Sequence, residues 1–356
     1  MRNGMNISGF SEIVHEIQQE PAQAIFRYAA YAHCSPAGGM LAGVAPALIG
    51  LLRAPRHFEV PIRPSPALQC QGLLDPAWPQ ELALAALSGC FLVSAVSGFS
   101  ARRTTVDHLS MTTSAILQEA AAAAPQVRYE IRSGTDKKIS EALEVIEAVK
   151  SHSPNHQTFV QPLGLSARLV DAEGAGPWHR FCPFEQAPAD TAAVQTKTQA
   201  LSLDCQWLYG TQLRADFVHQ DPQDLRSFPI DQPKQLAGID WGPNPQEYLL
   251  MAIAADVLAQ LNRRQQLPGA VHLDVRAMVD IRGMCEVAPT PVHLQDIELE
   301  LQVEGWPAAQ LATLMQQLAA SIEASVVCAL IRHRVGFEFQ VGARPLSEDA
   351  RECQPC

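Results

Sequence analysis

Hydrophobic positions crowd into two long runs, one following residue 78 and one following residue 244, and both are apolar on nearly every side. A run with no polar face predicts a helix enclosed by a sheet or a partner, not one lying on a surface. Both runs open on Pro-Gln-Glu. In NPQEYLLMAIAAD (244–256) Asn244 fits the N-cap, Pro245 the first helical position and Glu247 the third, a capping-box arrangement. In WPQELALAALSGC (78–90) Trp78 is a poorer cap, but Pro79 and Glu81 keep their places. QVRYEIRS, VHLDVRAMVDI and IELELQVEG alternate with period two and predict strands. ISEALEVIEAVKSH (139–152) and the stretch 307–330 predict amphipathic helices, each ending in a short strand, LGLSARLV and VGFEFQV.

The two runs belong to an internal repeat. Residues 78–90 align with 244–256 without a gap, and upstream VPIRPSP (60–66) resembles FPIDQPK (228–234). Each half then reads strands, central helix, strands, second helix, strand. That order lacks regular βαβ alternation and predicts an α+β fold. The expected division is a first repeat over 1–172 with an N-terminal helical extension, a Gly/Pro/Ala-rich linker over 173–197, a second repeat over 198–343, and a flexible tail over 344–356. The alignment sets Asp256, a carboxylate inside an apolar helix, opposite Cys90. Such a carboxylate is costly unless it is paired, hydrogen-bonded or protonated.

Composition narrows the class. With 47% hydrophobic and 18% charged residues, the 356-residue chain can bury a sizeable core, and its length suggests two domains. A formal net charge of −11 argues against a basic face for nucleic acid or an anionic membrane, so neither is an expected partner. The first residues carry acidic side chains without an unbroken apolar stretch, and the run from Leu82 to Val96 reads as too short for a bilayer. A cytoplasmic location is therefore expected. The nine cysteines are scattered and odd in number, as for free thiols in a reducing compartment. Only Cys353 and Cys356, in the terminal CQPC, have paired spacing. A lone CxxC supplies half a structural zinc set, and the histidines do not cluster at metal spacing. No metal and no cofactor are expected.

GPNPQEYLLMAIAA, DPAWPQELALAALSGCF and DVRAMVDIRGM with ELELQV resemble the signature of the osmotically inducible protein C and organic hydroperoxide resistance (OsmC/Ohr) family. Two copies of the resemblance cover most of the chain. It implies a curved antiparallel sheet wrapped around a long central helix, in intertwined dimers with sites at the interface. Here it implies an intramolecular pseudo-dimer whose sites draw groups from both repeats. It also implies a chemistry. One cysteine on the central helix attacks a peroxide, and a second, opening a Cys-Pro segment, resolves the sulfenic acid as a disulfide. A glutamate near the helix-start proline holds an arginine that polarises the thiolate. On this pattern Cys90 matches the attacking cysteine, but SPNHQTF (153–159) puts Ser153 where the resolving cysteine would stand. In the second copy Asp256 and Ala324 take the two places. Gln80 and Gln246 follow the prolines directly, with Glu81 and Glu247 one residue later.

The resemblance thus leads to a divergent thiol protein, peroxidase-like, that acts through Cys90 on organic hydroperoxides or other small electrophilic or sulfur compounds. The alternative is a non-catalytic pseudo-dimer that binds a small apolar ligand or a protein partner. In the first case Cys90, Glu81 and Arg63 form the site, with Asp256 and Glu247 as second-repeat counterparts. Arg53 and Arg56 flank Arg63 as further candidates for the arginine. Each residue also has a plainer reading: Cys90 as a small buried residue, Arg63 as a solvated strand charge, Asp256 as a hydrogen-bonded structural group. Cys34, Cys70, Cys182 and the tail thiols Cys353 and Cys356 are candidate accessory thiols. The partners that follow are a small molecule at the inter-repeat interface, a thiol reductant and a second copy of the chain.

Overall fold

The computed structural model describes residues 1–35, 39–63, 77–118, 125–184, 198–218, 225–264, 270–303 and 305–345. A helix α1 (Ile7–Gln19), capped by the Asn6 side chain on the Gly9 N–H, precedes the strands β1 (Ile25–Ser35), β2 (Gly39–Ile49), β3 (Leu52–Ala54) and β4 (Glu59–Ile62). The first central helix α2 (Pro79–Ala101) leads into β5 (Val106–Gln118), β6 (Gln126–Thr135), α3 (Ile139–His152), α4 (Pro154–Val160) and β7 (Leu165–Asp171). Two short strands follow, β8 (Gly174–Ala175) and β9 (His179–Phe181), and both pair with β7. The stretch read as a linker therefore begins as sheet edge, and its residues 185–197 lie outside the described ones.

The order then recurs. It runs β10 (Thr198–Tyr209), β11 (Gln212–Val218), β12 (Leu225–Ile230), the second central helix α5 (Pro245–Arg264), β13 (Val271–Asp280), a short α6 (Ile281–Met284) and β14 (Gln295–Gln302). It closes with α7 (Ala308–Ala324), α8 (Val326–Arg332) and β15 (Gly336–Pro345).

The strands form two sheets in a mixed helix-and-sheet fold, as an α+β order requires. One has the path β3-β2-β1-β13-β14-β7-β8, with β4 on β2 and β9 on β7; the other runs β12-β11-β10-β5-β6-β15. Each sheet takes strands from before residue 172 and from after residue 198. The expectation of a separate antiparallel sheet for each half needs correction. β7 pairs with β14, and β15 with β6, and both pairings are parallel. The closing strand of each half is thus laid against a strand of the other. α5 packs on β1, β2 and β13, α2 packs on β5, β10 and β11, and the two helices pack on each other. The layers run sheet, helix, helix, sheet, which explains why neither central helix needs a polar face.

Two local readings change. The helix expected over 307–330 is broken at Ser325, and its two parts are bent by 69°. Ser325 caps α8 by accepting the Cys328 N–H at 3.0 Å. Serine competes for backbone hydrogen bonds and so favours a cap over a helix interior. A serine also stands at the break between α3 and α4, but Ser153 makes no side-chain cap, and α4 starts instead on Pro154 at its first position. Second, α2 has 23 residues and is long and apolar enough to cross a membrane, contrary to the shorter reading; 83% of its most apolar window is buried within the protein.

His156 of α4 sits inside an aromatic cage. Its ring lies 4.4 Å from Phe337 and 5.7 Å from both Phe91 and Phe339, centre to centre. Burial, helped by Lys150, lowers its pKa from 6.5 to about 4. A base with a lowered folded pKa stabilises the fold above its unfolded value and loses that contribution as pH falls through the folded one. The loss is about 3 kcal/mol between pH 7 and pH 4. Urea unfolding at both pH values should show His156→Leu losing less on acidification than the parent by about that amount. Equal losses would discount the cage as the cause.

Candidate functional site

Cys90 lies on α2 about three turns from Pro79 and is 3% exposed. Gly89, just before it, lets the chains close in. A Cβ there would stand 2.8 Å from Ile230 Cδ1 and 3.5 Å from Cγ of Pro245, the first residue of α5. The Cys90 sulfur accepts from the Asn155 N–H and from Gln246 Nε2, both at 3.4 Å. Asn155 is anchored in turn, because its Nδ2 donates to Ala86 O and Pro245 O, both at 2.9 Å. The sulfur is therefore surrounded by α2, α4 and α5. Burial pushes the thiol up to about 11, against the pull of the Ser153 hydroxyl, the Asn155 N–H and Gln246 toward the thiolate. Desolvation wins, and the resting group is a thiol.

Cys90 nonetheless lines a cavity of about 340 Å³, bounded by the apolar faces of α2 and α3, with Met5 and Phe10 also in its wall. Tyr28, Gln246 and Cys285 also line it. Tyr28 feels Glu247, Arg56 and Cys90; burial first, then Glu247, holds its phenol protonated. Burial also raises the partly buried Cys285 to about 12.

Asp256 answers its own question. Its carboxylate accepts Ser325 Oγ at 2.7 Å, the Val327 N–H at 3.0 Å and Gln80 Nε2 at 3.4 Å. Burial raises its pKa, opposed first by the Val327 N–H and then by Ser325. The contacts match those of Cys90 position by position. A serine stands at a helix break, an N–H two residues later, and a glutamine follows the proline of the opposite central helix. Ser325, not Ala324, is thus the counterpart of Ser153.

The glutamates follow the same crossing. Glu81 receives the Trp78 N–H at 2.9 Å and pairs with Arg226 at 2.6 Å, beside Gln80 and Asp256. Glu247 completes the capping box with Asn244, at 2.7 and 2.8 Å, and lies 3.5 Å from Arg56, beside Gln246. The set expected around Cys90 is therefore not assembled. Glu81 is nine residues away on the same helix, about 13 Å along its axis. Arg63 stacks over the Trp78 ring at 5.3 Å, at that same far end. Glu247 and Arg56 form the matching pair in the other half, one residue past the Gln246 that reaches Cys90. Burial raises Glu247 to about 7 despite Arg56. Arg56 also donates to Gly242 O and lies 3.5 Å from Asp240.

Among the accessory thiols, Cys182 is exposed and Cys34 is buried in β1, and neither lines the cavity. Cys70, Cys353 and Cys356 lie outside the described residues. Cys285, which does line it, was not among the candidates. Its signal was weak, because it falls in an irregular stretch between two strands. No cluster of three metal-ligating side chains occurs among the described residues. The family model described as OsmC-like protein matches residues 77–165. The matched segment holds Cys90, Ser153 and Asn155 and supports an OsmC-type assignment for it; Gln246, Glu247 and Asp256 lie outside. No curated protein matches the chain.

Proposed function

We propose that this protein is a divergent OsmC-like thiol protein, a pseudo-dimer of two repeats in one chain, whose Cys90 reacts with a small apolar electrophile of the organic hydroperoxide class. One observation carries this reading: a thiol on the wall of a mostly apolar cavity, with the Asn155 N–H and Gln246 Nε2 aimed at its sulfur. Donors placed this way favour a thiolate once the proton has left. The thiolate attacks the outer peroxide oxygen, the O–O bond breaks, and the alkoxide leaves as the alcohol with the thiol proton. Sulfur is left as sulfenic acid. Ser153 cannot form a disulfide with it, so an external thiol would return Cys90 to its reduced state. The exchanged strands β7 and β15 support the pseudo-dimer, because each half completes the other's sheet. Six free thiols among the described residues suit a reducing, cytoplasmic setting.

A second reading, binding of a small apolar ligand without chemistry, is favoured by the thiol's raised pKa, since about one molecule in 10⁴ is thiolate at neutral pH. The test is Cys90 alkylation, and sulfenic-acid trapping after cumene hydroperoxide, followed by peptide mass spectrometry from pH 7 to 10. The reactive thiol predicts a rate that climbs about tenfold per pH unit toward a pKa of about 11, absent in Cys90→Ser. Labelling that waits for global unfolding would leave the ligand-binding reading.

A further inference from the structure

The donors around Asp256 and Cys90 match in kind but not in use. One Asp256 oxygen accepts Ser325 Oγ and the Val327 N–H, and the other accepts Gln80 Nε2. Around Cys90 the matching Asn155 N–H and Gln246 Nε2 both converge on a single sulfur. The matching Ser153 hydroxyl is buried and makes no well-formed hydrogen bond. A buried hydroxyl that faces only a thiol sulfur, a weak acceptor, is poorly satisfied, and its counterpart shows what would satisfy it better: an oxygen of an anionic group. The same donor arrangement holds two oxygens in one half of the molecule and a bare sulfur in the other.

We propose that Cys90 is a modification site, at which two equivalents of a hydroperoxide convert the thiol to a sulfinate that takes the place the Asp256 carboxylate has in the other half. This rests on the reading that a hydroperoxide reaches Cys90 through the cavity. The first equivalent gives sulfenic acid and one alcohol, as above. The sulfenate sulfur then attacks the outer oxygen of a second hydroperoxide, the O–O bond breaks, and a second alcohol leaves with the remaining proton. Sulfur gives up an electron pair in each step, and each peroxide takes one. The product carries two oxygens on one atom, like a carboxylate. One of them satisfies Ser153 and the Asn155 N–H, the other Gln246. With every donor filled the site has no nucleophile left, which is the condition the Asp256 site already has.

The test uses the full chain in two arms. In the first, reduced protein is treated with excess cumene hydroperoxide and the Cys90 peptide is read by mass spectrometry. A species with two added oxygens is expected to accumulate and to survive dithiothreitol, and Ser153→Ala should lower its yield severalfold. The second arm needs no peroxide. Cys90→Asp is expected to melt at or above the temperature of Cys90→Ser, and Ser153→Ala should lower the melting point more when added to Cys90→Asp than when added to the parent. Cys90→Asp unfolded while Cys90→Ser is folded overturns the proposal. So does oxidation that stops at a sulfenic acid fully recovered by thiol, or that ends in a disulfide with Cys285; either leaves the thiol chemistry of Cys90 standing. A Cys90 untouched by peroxide removes both.

Discussion

Replacing Arg226 by methionine is expected to cost about 3–5 kcal/mol, the largest loss from any single substitution considered for this protein. The guanidinium lies 2.6 Å from Glu81, and the two side chains are 8% and 0% exposed. Methionine fills most of the volume but leaves the Glu81 carboxylate buried without its guanidinium, and an uncompensated buried charge is what makes breaking such a pair expensive. Glu81 cannot swing out to water, because it also holds the Trp78 N–H that starts α2. Adding Glu81→Gln should restore much of the loss by removing the charge while keeping an acceptor for that N–H. Urea unfolding of the parent, the single and the double variant measures both steps. A single variant within about 1 kcal/mol of the parent, the value of an exposed ion pair, would show that the pair is not a structural element.

Asp256→Ala comes second, at about 2–4 kcal/mol. It strips the Ser325 hydroxyl and the Val327 N–H of their acceptor inside the protein, and each buried donor left unsatisfied costs about 1–3 kcal/mol. Asp256→Cys should cost about half as much, since the matching site shows a thiol accepting from donors of the same kind and spacing. A cysteine variant less stable than the alanine variant would break the correspondence between the two sites.

Much of this was legible in the chain. The enclosure of both central helices follows from their lack of a polar face, the order of elements from the strand and helix periods, and the pairing of Cys90 with Asp256 from an ungapped repeat. What stayed hidden was three-dimensional. Gln80 and Gln246, next to the helix-start prolines, gave no sign of their reach; each crosses to the residue eleven positions past the other proline. Glu81 is close to Cys90 in sequence, and that proximity misled, because a helix carries residues nine apart to different ends. Arg226 left no trace, since its partner is 145 residues away. Ser325 could have been found, because serine before a short apolar run is a helix-start signal.

The crossing of β7 and β15 into each other's sheets also bears on how the chain is made. During synthesis β1 and β2 emerge long before β13, and β5 and β6 wait for β10 and β15. The first half therefore leaves the ribosome with open strand edges and two unfinished sheets. Pairings of such sequence separation make for slow folding, and exposed edges invite association with neighbouring nascent chains. Halves expressed alone are expected to seek each other or to aggregate.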